Sequence, residues 1–290
     1  MASLKELKGR IVSITSTRQI TSAMKMVAAA KLKKAQDGVI QIRPYANKLK
    51  EILTEVSSGL NKEHSSIYSR KKEVKNVLIV LLASNRGLCG AFNGSICKRA
   101  MQYVQETYPS QLSAGNVKFF TIGKKATEYI EKCKFNIVGI GDEIYDDLTF
   151  SGATMLAELF MKEFVNGEFD KIDIIYNSFR NAAVYSQTVE QFLPMALEIT
   201  ECSTSSEFIL EPSVESIVDE MIPKSLKIQF FKILLDSFAA EQGARMTAMH
   251  QATDNASELI KELTLMYNKA RQASITNELI EITSGAEALK

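Results

Sequence analysis

The sequence predicts a mixed α/β fold in which two very long helices, one at each end of the chain, flank an inserted open-sheet domain. Three observations predict this fold. Apolar residues keep helical spacing over 226–289 and again over the first 56 residues, and between them the pattern changes to short apolar runs separated by helical stretches. We therefore expect an N-terminal helix at 1–60, an α/β domain at 75–212 and a C-terminal helix at 213–290.

The C-terminal helix is predicted from one apolar stripe that only Gly243 interrupts. The stripe steps by three and four through Ile228, Phe231, Leu235, Phe238, Arg245, Met249, Ala252, Ala256, Leu259, Leu263, Met266 and Ala270. At about 1.5 Å per residue such a helix is roughly 90 Å long, more than a compact domain of this size can enclose. A pattern well beyond about 25 residues is typical of a coiled coil, so we expect the helix to leave the body and pair.

The N-terminal helix follows the same spacing from Leu4 to Ile42 and resumes after Pro44, where a kink or restart is expected. Its acid-poor start also resembles a transit peptide, but the pattern continues far beyond the few turns of such a peptide. Two long helices at opposite ends of a chain, with a compact domain inserted between them, can readily pack against each other if they run antiparallel. The alanines at 28–30 and between 239 and 256 permit close approach, so we expect a stiff antiparallel coiled coil.

The middle of the chain alternates strand-like and helical stretches, which predicts an open, Rossmann-like sheet. Strands are expected at 77–83, 117–122, 135–140 and 172–179, with helical spacing at 95–108, 124–133 and 154–166. Further edge strands are expected at 187–197 and 208–210, with Pro194 and Pro212 as boundaries. All prolines except Pro44 are then expected outside the terminal helices.

Composition restricts the class of protein. No apolar run approaches the roughly 20 residues that span a bilayer, so membrane association is expected to be peripheral. Cys89, Cys97, Cys133 and Cys202, with His64 and His250, fit neither a disulfide framework nor metal spacing, which favours reduced thiols. Residues 1–50 hold eleven Lys and Arg against two acids. This basic arm can bind nucleic acid, an anionic membrane surface or an acidic protein.

The glycine-containing turns do not predict a nucleotide site. Residues 84–94 form a glycine-rich strand-to-helix turn, but the GxGxxG spacing is absent, and Gly123-Lys124-Lys125 lacks the other residues of a P-loop. The acids at 142–147 are expected to form a solvated turn, with no histidine or cysteine nearby to complete a catalytic or metal site. Nucleic-acid binding is disfavoured because Tyr45 is the one stacking aromatic of the basic arm. We therefore expect no catalytic centre, no cofactor and no metal.

Several segments carry a resemblance to a known family. Residues 275–288 (ITNELIEITSGAEA) resemble the C-terminal signature of the gamma-subunit family of F-type ATP synthases. Residues 19–32 (QITSAMKMVAAAKL) resemble the N-terminal helix of that family, and 244–249 with 252–256 resemble its C-terminal helix. The segments 86–90 (RGLCG) and 176–179 (YNSF) extend the resemblance into the middle of the chain.

The resemblance implies a non-catalytic rotor subunit. In that family the coiled coil turns inside a ring of alpha and beta subunits and couples proton (or sodium) flow to ATP synthesis or hydrolysis. The α/β domain lies with the epsilon subunit and the c-ring of the membrane sector. The start of the chain at a methionine, with no plausible leader, favours a bacterial protein, peripheral on the cytoplasmic side of the inner membrane. The alternative left open is a coiled-coil adaptor with no motor role.

The resemblance also assigns candidate site residues by position. Contact with the alpha and beta ring is expected at Met24, Arg245, Arg271, Gln272, Thr276, Glu278 and Glu281. The turn of the α/β domain is expected at Asn85, Arg86, Gly87 and Gly90. Many family members have Asp where this chain has Asn85, which puts in doubt any salt bridge there but not the turn.

Overall fold

The computed structural model describes residues 3–58, 67–69, 73–182, 184–195 and 214–288. The chain forms two units, which we call the two-helix unit (residues 1–28 and 245–290) and the body (residues 29–244). The predicted strand at 208–210, the boundary at Pro212, and Cys202 and His64 lie outside the described residues.

The body is built on a five-stranded sheet with the order β3-β2-β1-β4-β5. The strands are β1 (Val77–Leu82), β2 (Val117–Ile122), β3 (Ile137–Ile140), β4 (Lys171–Phe179) and β5 (Tyr185–Leu193). The first four run parallel, and β5 pairs antiparallel with β4. Every β1 side chain is buried, as expected for a continuous apolar run in a sheet that is covered on both faces.

Helices cover the two faces of this sheet. They are α2 (Phe92–Thr107), α3 (Pro109–Ser113), α4 (Lys124–Lys132) and α5 (Phe150–Val165), with a short 3₁₀ helix at Asp142–Tyr145. On one face Ile79 and Phe119 pack with Ile96 of α2 and Ile130 of α4. On the other face Val80 packs with Phe160 of α5 and with residues of the two terminal helices, among them Leu53 and Phe230.

The terminal helices are α1 (Leu4–Ser58) and α6 (Val214–Ala288). Within the body, a Cβ on Gly38 would lie 3.7 Å from Leu235 Cδ1. Further along α1, Leu49 lines the same cavity as Ser225. Because rising numbers on α1 meet falling numbers on α6, the two helices are antiparallel here, as predicted.

The two-helix unit has a regular seam. Buried or half-buried side chains of α1 step by four and three, at Leu7, Ile11, Ile14, Arg18, Thr21, Lys25 and Ala28. On α6 the same spacing gives Arg245, Met249, Ala252, Ala256, Ile260, Leu263, Tyr267, Ala270 and Ser274. This is the spacing of a two-stranded coiled coil, so the predicted fold class is confirmed.

The structure corrects three details of the terminal helices. Leu259 and Met266 were expected in the stripe but are 47% and 56% exposed, because the seam passes through Ile260 and Tyr267. Pro223 was expected outside a helix but lies inside α6. Burial of Ile222 and Leu226 around it offsets the lost backbone hydrogen bond. Pro44 also lies inside α1, so the helix does not restart there.

Smaller differences lie at the ends of elements. Strand β3 begins at Ile137 rather than at 135, and β5 spans Tyr185–Leu193 rather than 187–197. Helices α2 and α5 begin at Phe92 and Phe150, earlier than the helical spacing indicated. The start of α5 is capped by Thr149, whose hydroxyl accepts from the Gly152 N–H. The short α3 and the 3₁₀ helix were not predicted, since four or five residues are too few for a periodic signal.

Candidate functional site

The C-terminal end of α6 is the first candidate. Every side chain from 275 to 287 is exposed. Four of them are large aliphatic side chains, and Leu279 and Ile282 expose 57% and 67% of their surface. Because water-exposed apolar side chains on successive turns cost solubility, such a stretch indicates a surface that a partner covers.

The predicted contact residues lie in or beside this stretch. Arg271, Gln272, Thr276, Glu278 and Glu281 are all exposed. The Thr276 hydroxyl donates to the Gln272 carbonyl at 2.9 Å, and the Ser274 hydroxyl donates to Glu278 Oε1 at 3.3 Å. These bonds stay within one helix, and none of the five side chains is part of a core.

Met24 and Arg245 differ from the other predicted contact residues. Met24 is half-buried, and Arg245 is 9% exposed and belongs to the seam of the two-helix unit. A buried guanidinium in a seam serves the pairing of helices at least as well as contact with a ring. Their assignment to the ring therefore stays a prediction.

The second candidate is the turn after β1, where Asn85 joins two other loops of the body. Its Nδ2 donates to the Asp142 carbonyl at 3.0 Å, and its Oδ1 accepts from the Lys124 N–H at 3.1 Å. The neighbouring Ser84 is fixed in the same way, because its N–H donates to Asn93 Oδ1 at 2.9 Å. Asn85 thus connects the carboxyl ends of β1, β2 and β3 without a charge.

The backbone of this turn explains its glycines and one unusual residue. Gly90 has a φ of 61°, which favours glycine, and Leu88 adopts a φ of 64° although it carries a Cβ. Leu88 is also 65% exposed. A Cβ on Gly87 would meet no atom within 4 Å, so space alone does not require glycine there. Arg86 is exposed.

The Asp142 side chain caps the N-terminus of α4. Its Oδ1 accepts from the Gly123 N–H at 2.8 Å, while Asn85 accepts from the next N–H. Burial raises the pKa of the Asp142 carboxyl, and the Gly123 bond partly opposes this. The first backbone donors, which could hold a phosphate, are thus bound within the chain. Asp142 was expected in a solvated turn, so the structure corrects its role to that of a helix cap.

Other chemistry finds little support in the described residues. Cys89 and Cys97 are buried, Cys133 is exposed, and burial raises the pKa of Cys97 to about 12, far from a reactive thiolate. No group of three or more His, Cys, Asp or Glu side chains in the described part of the chain could hold a metal ion. Within the same ranges, no helix has an apolar stretch long enough to cross a bilayer.

Comparison with known proteins decides the family. The family model described as "ATP synthase" matches residues 3–289. The ATP synthase gamma chain of Christiangramia forsetii is 51% identical over 289 residues, covering 100% of this chain and 99% of the relative. The chain belongs to the ATP synthase gamma chain family. The gamma chain of Chlorobaculum tepidum is 43% identical, with full coverage of both chains.

Solved structures agree with this membership. A chain from the central stalk and c-ring of Tetrahymena thermophila mitochondrial ATP synthase has a TM-score of 0.59 at 25% identity, covering 80% of this chain and 99% of that one. A chain of Euglena gracilis mitochondrial ATP synthase has a TM-score of 0.67 at 18% identity, covering 99% and 94%. At that identity the second likeness shows the fold alone. The chain is therefore a gamma subunit of an F-type ATP synthase, a component of the central stalk.

Sequence reasoning pointed to the C-terminal end of α6 but missed the hydrogen bonds that fix the turn after β1. The RGLCG motif pointed to the turn, and Asn85 was recognised as a departure. The partner of Asn85 is 57 residues away in sequence. No local pattern reports a bond of that kind, although the unexpected amide was a usable signal.

Proposed function

We propose that this chain is the non-catalytic rotor of a bacterial ATP synthase, and that its rotation couples proton (or sodium) flow to ATP synthesis or hydrolysis. The observation that carries the proposal is the exposed end of α6. It combines aliphatic side chains at Ile275, Leu279 and Ile282 with the polar residues of the C-terminal signature. A ring of alpha and beta subunits would cover this end.

The polar residues would make such a contact depend on the rotational angle of the helix. A rotor must present unequal faces, because coupling requires that its angle change the affinity of each ring site by a different amount. Arg271, Gln272 and Glu281 are exposed and differ in charge. Successive copies of one ring subunit can therefore meet different side chains as the angle of the helix changes.

The body is proposed to contact the other rotor components, namely the epsilon subunit and the c-ring. Its part of α1 exposes 65% of Ile40 and 57% of Tyr45, which supports a second covered surface. The chain would then be peripheral to the inner membrane, on its cytoplasmic side. The basic charge of residues 1–50 suits an acidic protein surface, and we propose no nucleic-acid partner.

The test is reconstitution with purified alpha and beta subunits from the same source. Light scattering follows assembly, and phosphate release follows ATP hydrolysis. One copy of this chain per ring, with hydrolysis that depends on it, is the expected result. The variant Leu279→Asp should weaken assembly, whereas Val165→Asp, at an exposed site of the body, should not. A chain that stays apart and leaves hydrolysis unchanged would favour the adaptor alternative.

A further inference from the structure

Gly243 is the one glycine of α6 before Gly285, and it interrupts the apolar stripe of that helix. A glycine inside a helix is unfavourable relative to alanine, because glycine loses more conformational freedom on folding. Neither the helix nor its stripe therefore gives a reason for glycine at this position. The reason is expected in what packs against it.

The backbone of another segment of the body packs directly on Gly243. A Cβ at this position would lie 3.0 Å from the carbonyl oxygen of Ala182 and 3.5 Å from its Cα, and the first distance is tighter than ordinary van der Waals contact. Ala182 belongs to the turn between β4 and β5. Because the opposing atoms are backbone atoms, they cannot swing aside as the end of a flexible side chain can. Only glycine leaves room for this approach.

The turn between β4 and β5 is held by its own hydrogen bonds. The N–H groups of Arg180 and Asn181 donate to the Val184 carbonyl at 3.2 and 3.1 Å. In return the Val184 N–H donates to Asn181 Oδ1 at 2.8 Å. The strands on either side are paired up to Phe179 and Tyr185. A turn fixed in this way resists displacement when the helix beside it is pushed.

The helix is enclosed where it meets this turn. Residues 239–243 are all buried. Five consecutive residues cover more than one full turn at 3.6 residues per turn, so no face of α6 is open to water here. Glu241 and Gln242 are polar, yet they are only 6% and 4% exposed. Neighbouring segments therefore cover the polar faces of the helix as well as its apolar stripe.

Two other segments at the same edge of the sheet contact α6 close to Gly243. Ala240 packs with Cys89 of the turn after β1 and with Phe92 at the start of α2. The ring of Tyr145, in the 3₁₀ helix that follows β3, stacks on Phe238 with the ring centroids 6.4 Å apart. We call the three contacting segments, residues 84–92, 142–145 and 180–182, the collar. The collar surrounds α6 at the carboxyl edge of the sheet.

We propose that Gly243 is a positioning residue of the rotor, which lets the β4–β5 turn pack on α6 and so sets the torsional stiffness with which the body holds this helix. The body ends at Ala244, so the collar holds α6 where the helix leaves the body. Closely packed protein interiors have low compressibility and transmit strain. A Cβ at position 243 would push the turn and α6 apart and loosen the collar. The inference rests on the proposed function, since only a rotor carries torque along α6.

The experiment measures thermal angular fluctuations of the body in single assembled complexes. The ring of alpha and beta subunits is fixed to glass, and a bead is bound to a biotin-acceptor peptide inserted after Gly167, in an exposed turn at the other edge of the sheet. With hydrolysis stopped, the variance of the bead angle is inversely proportional to the torsional stiffness. Gly243→Ala should raise this variance by about 1.5-fold or more, and Gly243→Val should raise it further.

The matched control is Gly38→Ala on α1. It also adds a Cβ to a glycine inside a long helix, but that Cβ would lie at an ordinary contact distance of 3.7 Å from Leu235 Cδ1. The variance should therefore stay at the wild-type value. Because only assembled complexes are measured, a variant that folds poorly lowers the number of complexes and does not change the variance of those that form.

Three outcomes would contradict the inference or the function beneath it. A wild-type variance in complexes that carry Gly243→Ala or Gly243→Val would overturn the role of Gly243, and a lower yield of such complexes would then assign it to folding alone. An equal rise in variance for Gly38→Ala would also overturn it, because the collar would not be the cause. A wild-type chain that does not join the ring, or whose bead does not rotate when ATP is added, would contradict the proposed function instead.

Discussion

The hydroxyl oxygens of Thr21 and Thr253 lie 2.9 Å apart across the seam of the two-helix unit. Thr253 Oγ1 is also 2.7 Å from the Met249 carbonyl, and Thr21 Oγ1 is 3.1 Å from the Arg18 carbonyl. Each hydroxyl has one proton, so one threonine donates within its own helix and the other donates across the seam. A polar pair that meets across a seam disfavours shifted alignments of the two helices, because a shift would separate the two hydroxyls.

The first prediction tests this pair with Thr21→Val, Thr253→Val and the double variant. Valine keeps the shape of the threonine side chain but removes the hydrogen bond between the two hydroxyls. The free energies of unfolding of the two single variants and the double variant, measured in urea, should therefore give a coupling energy of about 1 kcal/mol. Thr264→Val is the control, because the Thr264 hydroxyl is exposed and donates only to the Ile260 carbonyl. Additive losses from the two single variants would argue against the bond across the seam.

The second prediction concerns the exposed end of α6. Replacing Arg271 and Gln272 together by alanine should weaken binding to the alpha and beta ring by about fivefold or more, as expected for a contact residue. The free energy of unfolding should change by less than about 0.5 kcal/mol, because both side chains are exposed. The double variant Glu131→Ala with Lys132→Ala on α4 provides the control. Unchanged ring affinity and hydrolysis would contradict the assigned role.

Long regular elements could be predicted from the sequence, because periodicity accumulates over many residues. The run at 77–83 matched β1 within one residue, and the stripe from Arg245 to Ala256 matched the observed seam. The path after Ala256 could not be predicted in the same way. Leu259 and Ile260 are both apolar and both lie at an allowed step, so only the position of the facing helix selects Ile260.

The candidate sites also have a part that the sequence could predict and a part that it could not. The signature residues near the C-terminus are consecutive in sequence, so a local motif found them. The hydrogen bonds of the Asn85 side chain join residues 85, 124 and 142, and no periodic pattern in the sequence relates these three positions. Asp142 looked like one of several acids in a loop, and only its distance to the Gly123 N–H distinguishes it from Asp146 and Asp147.

The third prediction is that Asn85→Asp destabilises the body by about 1–2 kcal/mol at neutral pH. A carboxylate could still accept from the Lys124 N–H but could not donate to the Asp142 carbonyl. The new carboxyl should have a folded-state pKa above its unfolded value. Its penalty is then present at pH 7 and should shrink as the pH falls towards about 4, where the protonated acid can donate again.

Urea unfolding of the wild-type and Asn85→Asp chains between pH 4 and 7 measures this effect. Asn136→Asp is the matched control, because Asn136 is exposed at the amino end of β3 and, among the described residues, no side-chain hydrogen bond involves its amide. If the free energy of unfolding lost in Asn85→Asp does not change with pH, the missing hydrogen bond to the Asp142 carbonyl is not the cause.

The last prediction concerns Asp173, a carboxyl in β4 that is 1% exposed. Its Oδ2 accepts from the hydroxyls of Tyr103 at 2.9 Å and Tyr108 at 2.5 Å, with Lys171 Nζ 3.9 Å away. Burial raises the pKa of Asp173, and the bond from Tyr108 is the largest influence that lowers it again. Burial raises the pKa of Tyr103 to about 12, and that of Tyr108 is raised further, so both hydroxyls stay donors near neutral pH.

A carboxyl whose folded-state pKa lies above its unfolded value contributes most stability below the unfolded pKa and loses it as the pH rises through the folded one. Tyr108→Phe removes a donor to the ionised form, so it should raise the pKa of Asp173 and cost about 1–3 kcal/mol at pH 7 but less at pH 4. Asp173→Asn should remove this pH dependence. Tyr185→Phe is the control, since Tyr185 packs edge-on against Phe92 and its effect should not vary with pH. A Tyr108→Phe deficit that is equal at both pH values would mean that the tyrosine acts through packing and not through the carboxylate.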